Sequence, residues 1–234
     1  MTAHASPRHA SPLRARLRAM PVFSEDVPAF DVTGAPADPV ELFVAWLDAA
    51  VQAGQLAPHA PVLSTSDASQ DVSARTIALK DVDSSGWWFA THATSPKGRA
   101  LAENASAALT FFWPVVGRQV RVTGRVEILG RDEVELDFLA RRPAARAATL
   151  VGHQSEPLSS TVDHARALAT ARARIDEDPG LVDPEWAVYV LVADRVEFWS
   201  ASHDRAHTRL LYTRSARARD AREDDLWTQE TLWP

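Results

Sequence analysis

Cysteine is absent from this 234-residue chain, and glycine is scarce, with nine in all. The first absence excludes disulfides, thiolate metal sites, iron–sulfur clusters and a cysteine nucleophile. The few glycines form neither a Gly-x-Gly-x-x-Gly fingerprint nor a Walker loop, so a Rossmann-type nucleotide domain is not expected. No Gly-x-Ser-x-Gly elbow occurs either. Positive charge is the minority sign: 25 Lys and Arg against 31 Asp and Glu leave a net charge of −6, without the basic footprint of a general nucleic-acid binder. No apolar run approaches the roughly 20 residues of a membrane span. Met1 to Pro21 mixes Arg, His, Pro and Ser without an apolar core, unlike a secretory signal, and the expected location is the cytoplasm. The eight histidines are scattered with no metal-ligand spacing, and His4, His9 and His59 read as solvated loop residues.

What is present suits one globular domain, with 46% hydrophobic and 24% charged residues. Residues 1–37, rich in Pro, Ser, Ala and Arg, read as a flexible arm, and Arg14, Arg16 and Arg18 as solvated cations on it. Asp38-Pro39 then caps and opens a helix carrying Val40, Phe43, Val44, Trp46, Leu47 and Ala50, with Gly54 as its stop. From Ala60 to Leu129 the pattern is strand-like. Candidate strands are Pro61–Thr65, Ser73–Lys80, Trp87–Thr91, Ala108–Trp113 and Gln119–Leu129, with a hairpin turn at Asp83-Ser84-Ser85-Gly86. Ser95-Pro96 starts a short helix running towards Asn104. Helices are expected at Asp132–Arg141 and after Thr161, the latter with Val162, Ala165, Ala169 and Ala173 on its apolar side. Strands return at Trp186–Val192, Arg195–Trp199, Arg209–Tyr212 and Leu226–Thr228. Short strands joined by tight turns, followed by helices and closing strands, give an α+β class with a small β-barrel.

Three clusters could carry chemistry. Arg75 and Lys80 sit five apart on a strand pattern and project to opposite sides; two surface cations flanking a buried strand is the simpler reading. Thr91-His92-Ala93-Thr94-Ser95-Pro96-Lys97-Gly98 ends a strand in hydroxyls and begins a helix with a cap and a lysine. That suits a phosphate cradle as well as it suits an ordinary capped helix. Arg205, His207 and Arg209 would share one face of an extended segment, where they repel one another unless an anion or a carboxylate stands nearby.

In order and spacing these pieces resemble the pyridoxamine 5′-phosphate oxidase family. The resemblance rests on Arg75-Thr76-Ile77-Ala78-Leu79-Lys80, Thr91 through Lys97, Trp113 with Arg118-Gln119-Val120-Arg121-Val122, Arg142-Pro143, Gln154-Ser155, Val196-Glu197-Phe198-Trp199, Arg205 to Arg209 and the terminal Leu232-Trp233-Pro234. It spans roughly residues 38–234, and flavin oxidases of reduced phenazine precursors share much of the pattern. The resemblance implies an FMN-binding split β-barrel of six to eight antiparallel Greek-key strands with flanking helices. One domain would cover 38–234, with a core at 60–130 and a dimerisation and substrate segment at 186–234. It would be a homodimer holding the flavin between subunits. By matched position, Arg75, Thr76, Ile77, Ala78, Leu79, Lys80, Ala90, Thr91, Ser95, Lys97, Gln119, Gln154, Ser155, Trp199 and Arg209 would bind FMN. Lys80, Arg141 or Arg142, Arg205 and His207 would meet the substrate, with Arg205 and His207 as the catalytic pair. The implied reaction oxidises a primary amine or alcohol on a pyridine ring to the aldehyde, with oxygen as acceptor and peroxide as product.

The chain departs from the family pattern in several places. Pro96 replaces a phosphate-binding arginine, for which Arg99 is a candidate substitute. Asp137 or Phe138 stands where a Tyr is usual, and Ala145 or Arg146 where a Ser is usual, depending on whether Arg141 or Arg142 is the phosphate arginine. Ala206 and Thr208 replace a Leu and an Asp in the closing motif. These changes bear on the substrate more than on the flavin. They keep open an oxidase of another ring system, such as a reduced phenazine precursor. A non-catalytic flavin- or heme-type module is the third reading, and Arg205 with His207 argues against it.

Overall fold

The computed structural model describes residues 11–23, 27–215 and 227–234. Its elements are helices α1 (Pro12–Ala19), α2 (Pro39–Gln52), α3 (Pro96–Glu103), α4 (Arg131–Ala140), α5 (Pro143–Leu150) and α6 (Thr161–Glu177), and nine strands. The strands are β1 (Val62–Ser66), β2 (Val72–Thr76), β3 (Leu79–Asp83), β4 (Gly86–His92), β5 (Ser106–Trp113), β6 (Arg118–Ile128), β7 (Trp186–Ser200), β8 (Thr208–Arg214) and β9 (Trp227–Leu232). All strand pairs are antiparallel and run in the order β2-β1-β5-β6-β7-β4-β3, with β8 on β7 and β9 on β8.

Closure of this sheet follows from one short joint. β2 and β3 lie at opposite ends of the strand order, yet only Ile77 and Ala78 separate them in sequence. Three Cα steps span at most about 11 Å, so the two ends must curl together. Ile77 N–H donates to Pro61 O (3.0 Å) and Leu79 N–H to His59 O (2.8 Å), stitching the joint to the segment ahead of β1. The expected single strand Ser73–Lys80 is therefore two strands, broken where the barrel closes. β7 supplies the split. Trp186–Leu191 pairs with β4, and Arg195–Ser200 on the same edge pairs with β8, while β6 runs along the other edge. At the fork the β6–β7 register slips beside Gly124, where a Cβ would lie 2.0 Å from Val192 O. The two strands expected at 186–199 are thus one long strand. Seven strands, β2-β1-β5-β6-β7-β4-β3, make the closed path, within the expected six to eight, and β8 and β9 extend the sheet to nine. β9 runs beyond the expected Leu226–Thr228, of which Leu226 lies outside the described residues.

The barrel is filled by alternating inward residues, among them Leu109, Phe111 and Trp113 of β5 and Val120 and Val122 of β6. α2 plugs it. Asp38 Oδ1 accepts from Val40 N–H at 2.9 Å, and Leu42, Phe43, Trp46 and Ala50 are buried. Phe43 meets Phe111 at 4.8 Å and Trp87 at 5.7 Å between ring centroids. The arm expected at 1–37 has structure within its described part. Ser11 caps α1, whose Arg14, Arg16 and Arg18 are exposed, and Phe30 packs edge-on against Trp46 at 4.9 Å. His4 and His9 lie outside the described residues, and His59 is exposed.

α5 was not foreseen. It packs with α6 through Ala147, Leu150 and Val151 against Leu168, Ala171 and Ile175. The face expected for α6 is exposed instead, including Val162, Ala165, Ala169 and Ala173. Alanines mark a helical face weakly, and the larger Leu168 and Ile175 decide which side is buried. Among the described residues no helix is long and apolar enough to cross a membrane.

Candidate functional site

A cavity of about 500 Å³ opens where the barrel closes. The β2–β3 joint contributes Thr76, Ile77 and Ala78, and the end of β4 contributes Ala90, Thr91 and His92. Lys97 enters from α3, Trp186 from the start of β7, and Arg141, Ala145, Ala148, Thr149, Gly152 and Gln154 from the α4–α5 side.

Lys97 is placed by its helix. Ser95 Oγ caps α3 by accepting from Gly98 N–H at 3.2 Å, and a Cβ on Gly98 would sit 2.3 Å from Ala93 O. Only glycine lets the first turn of α3 press against the end of β4, which carries Lys97 into the cavity wall. Lys97 is 8% exposed and donates to Gln154 Oε1 (3.0 Å) and Ser95 Oγ (3.3 Å). Among the described residues it has no ion-pair partner. Burial, and then the nearby Arg75 guanidinium, lower its pKa to about 8. Arg75 is held by Thr65 Oγ1 (2.9 Å), Leu63 O (3.3 Å) and Ser73 Oγ, and burial lowers its pKa also. Two cations thus stand near one another here, and neither has a carboxylate partner among the described residues. His92 ties the β4 end to the loop before β7, with Nδ1 2.8 Å from Thr94 Oγ1 and Nε2 3.1 Å from the buried Asp183. Arg99 turns away to bond Thr94 O, so it does not replace the arginine lost at Pro96.

The opposite wall is built on Arg141. Its guanidinium stacks 4.1 Å over the Trp186 ring, and Nη2 donates to Thr149 Oγ1 (2.9 Å) and Ala145 O (3.3 Å). Burial lowers its pKa, with Asp137 opposing. Arg142 is exposed and off the cavity, while Phe138 is core and Arg146 is buried, bonding Pro179 O and Leu181 O. Of the two candidate arginines, Arg141 lines the cavity together with Ala145, and Arg142 does not. Lys80 does not line the cavity; Nζ pairs with Asp137 Oδ1 at 2.8 Å.

The remaining expected residues gather at the far end of β7. Gln119, Trp199 and Arg209 lie in register across β6, β7 and β8. The Trp199 ring sits 4.8 Å from His207 and 5.7 Å from Phe23. The segment before β8 is a turn, not an extended run. His207 Nδ1 accepts from Ser202 N–H (3.0 Å), and Arg205 is exposed with φ +65°. Within that cluster Arg209 is paired by the buried Glu197 (2.8 and 3.0 Å), which also bonds Arg121. Ser155 and His153 also hold positive φ, on either side of Gln154. Left-handed non-glycine residues thus fall in both candidate loops, a strain that functional loops store.

Seven of the residues expected at the flavin line the cavity: Thr76, Ile77, Ala78, Ala90, Thr91, Lys97 and Gln154. Arg75, Leu79 and Ser155 adjoin those residues in sequence and Lys80 and Ser95 lie two positions away, whereas Gln119, Trp199, Arg205, His207 and Arg209 do not join them. Trp186 and Trp199 are thirteen residues apart on β7, roughly 40 Å along a strand. Sequence reasoning named His92 within the candidate cradle and Ala145 at the usual Ser position, and missed Ala148, Thr149, Gly152 and Trp186. One signal was available for the cavity: Lys97 is one of only two lysines in the chain.

A split, forked barrel with a cavity at its closure defines the class, an FMN-type split-barrel protein. A family model described as pyridoxamine 5′-phosphate oxidase matches residues 47–200, and one for the pyridoxine 5′-phosphate oxidase C-terminal dimerisation region matches 186–234. The chain is 35% identical over 202 residues to a pyridoxine/pyridoxamine 5′-phosphate oxidase of Pseudomonas paraeruginosa, covering 86% of this chain and 90% of the relative. It is 37% identical over 199 residues to one of Salinibacter ruber, covering 84% and 89%. Among solved structures, PhzG from Burkholderia lata, in complex with tetrahydrophenazine-1-carboxylic acid, superposes with a TM-score of 0.79 at 29% identity, covering 89% of this chain and 99% of that one. A pyridoxamine 5′-phosphate oxidase-related, FMN-binding protein from Nostoc punctiforme shares the fold, with a TM-score of 0.67 at 15% identity, over 84% and 98%. The chain belongs to the pyridoxamine 5′-phosphate oxidase family. Its class, an FMN-dependent oxidoreductase, follows from that membership.

Proposed function

We propose that the protein is a homodimeric FMN-dependent oxidase acting on a ring-borne CH–OH or CH–NH₂ carbon of a small anionic substrate. Pyridoxine or pyridoxamine 5′-phosphate, oxidised to pyridoxal 5′-phosphate, is the substrate to which its relatives' names point. The observation that carries the flavin part is Lys97, buried beside Arg75 with no carboxylate to pair it. Such a lysine is costly to charge unless an anion arrives, and the phosphate of FMN fits it. Lys97, Arg75, Thr91 and the α3 N-terminus with its Ser95 cap would hold that phosphate, and Thr76 to Ala78 and Ala90 would border the rest of the cofactor.

The dimer reading rests on the two residue groups at opposite ends of β7. One chain does not bring Trp199, Arg205, His207, Arg209 and Gln119 to its own cavity, so a second copy would supply them, and the matched dimerisation region supports this. The chemistry FMN would supply when bound is two-electron oxidation: hydride leaves the substrate carbon, a proton leaves its heteroatom, oxygen is the final acceptor, and the imine from an amine substrate takes up water and releases ammonia to give the aldehyde. The chain's own groups position and bind. Arg205, permanently charged on a strained turn, would hold the substrate ring. His207 Nδ1 accepts from Ser202 N–H, which leaves the proton of the neutral ring on Nε2, and that Nε2–H would donate a hydrogen bond that orients the substrate. Arg141, stacked on Trp186, would grip the anionic end of the substrate.

A second reading, oxidation of a reduced ring carboxylic acid of the phenazine-precursor kind, is favoured by the Lys80–Asp137 pair, which occupies a cation the first reading needs. Purified protein should be yellow with flavin absorbance and release FMN on denaturation. Peroxide formation with pyridoxine 5′-phosphate or with a dihydrophenazine acid then separates the two. A colourless protein that takes up no added FMN would end both readings.

A further inference from the structure

The Arg141 wall carries a carboxylate for which the proposed function has no use. Asp137 Oδ2 accepts from Trp186 Nε1 at 2.8 Å, and its Oδ1 pairs with Lys80 Nζ at 2.8 Å. Trp186 lines the cavity and carries the stacked Arg141. The Lys80 and Asp137 side chains are 28% and 16% exposed, shielded enough for the pair to persist in salt.

Several donors at this end are already committed, while the buried Arg141 Nε has no partner among the described residues. Lys80 is held by Asp137, Arg141 Nη2 by Ala145 O and Thr149 Oγ1, and the Thr149 hydroxyl donates to Ala145 O at 3.0 Å. Two cations and one carboxylate leave this end with a net charge of +1. The Lys97–Arg75 wall has two cations and no carboxylate, so the two ends of the cavity differ in the charge they can accept. The Lys80–Asp137 pair borders this end without lining the cavity, so a phosphomonoester dianion on Arg141 would have to draw Lys80 from Asp137 and would lie in the field of that carboxylate. A single carboxylate balances the local charge and needs only the guanidinium.

We propose that Asp137 is a specificity determinant, making the Arg141 end accept a ring substrate that bears one carboxylate in preference to one that bears a phosphate dianion. This rests on the flavin-oxidase reading and names its substrate class.

The test measures equilibrium binding to the FMN-loaded protein, by perturbation of the flavin spectrum, with phenazine-1-carboxylate and pyridoxal 5′-phosphate as probes. Wild-type protein is expected to bind the carboxylate at least ten-fold more tightly. Asp137→Asn, which keeps a hydrogen-bond acceptor for Trp186 Nε1, is expected to tighten pyridoxal 5′-phosphate at least ten-fold with FMN affinity unchanged. Asp137→Ser serves if the Asn variant does not fold. Tighter binding of pyridoxal 5′-phosphate by wild type, or an unchanged preference in the folded variant, overturns the proposal. Failure of the underlying flavin reading shows itself separately, as wild-type protein that does not load FMN.

Discussion

Lys97 makes the flavin-phosphate reading quantitative. Its pKa is lowered to about 8 by burial and by Arg75, whereas an unfolded lysine titrates near 10.4. The folded apoprotein therefore gives up this proton before the unfolded chain does. Between about pH 8 and 10.4 the unfolded state binds more protons, so apoprotein stability rises with pH across that window, by up to about 3 kcal/mol from this group. Binding a phosphate reverses the preference, because the anion needs the ammonium. With a free-protein pKa near 8, the protonated fraction falls from about nine-tenths at pH 7 to about one-tenth at pH 9, and FMN affinity should fall about ten-fold with it. Lys97→Met should bind FMN about ten- to a hundred-fold more weakly at pH 7, the worth of one charge-assisted contact of roughly 1.5–3 kcal/mol, with no pH slope. Quenching of FMN fluorescence on titration reads both. A wild-type dissociation constant that is flat from pH 7 to 9, or a variant that keeps the wild-type slope, refutes the assignment of Lys97 to the phosphate.

Arg205→Ala should retain FMN while turnover drops by two orders of magnitude or more, because Arg205 is exposed on a turn and supports no core; peroxide release at wild-type rate would remove it from the substrate role. Gly98→Ala should lose FMN affinity before it loses the barrel, since the added Cβ meets Ala93 O at 2.3 Å and pushes α3 with Lys97 outward; circular dichroism beside flavin titration distinguishes the two, and unaltered FMN affinity contradicts the packing argument. Phe43→Ala empties the contact between α2 and the barrel, where Phe43 is fully buried, and should cost about 3–5 kcal/mol in denaturant unfolding; a loss under about 1 kcal/mol would mean that α2 is not part of the core.

Local signals were legible along the chain. Asp38-Pro39 and Ser95-Pro96 announced their helices through capping chemistry that needs no partner, and the alternation of Val120 and Val122 gave an inward strand face. The ordered motifs pointed to the family and to most of one cavity wall. Other features depended on contacts between residues distant in sequence. The break at Ile77-Ala78 follows from the closure of the sheet, which local alternation through Ser73–Lys80 does not register. That Arg141 rather than Arg142 faces the cavity came from stacking on Trp186, 45 residues further along the chain. The partnership of Lys80 with Asp137 required α4 to dock against β7, and Glu197 answered Arg209 of β8 only through strand register. Spacing along a chain reports which side of an element a residue occupies; which charge meets which is settled when elements pack, because Coulomb and hydrogen-bond energies act over a few ångströms of space, however far apart in sequence the groups lie.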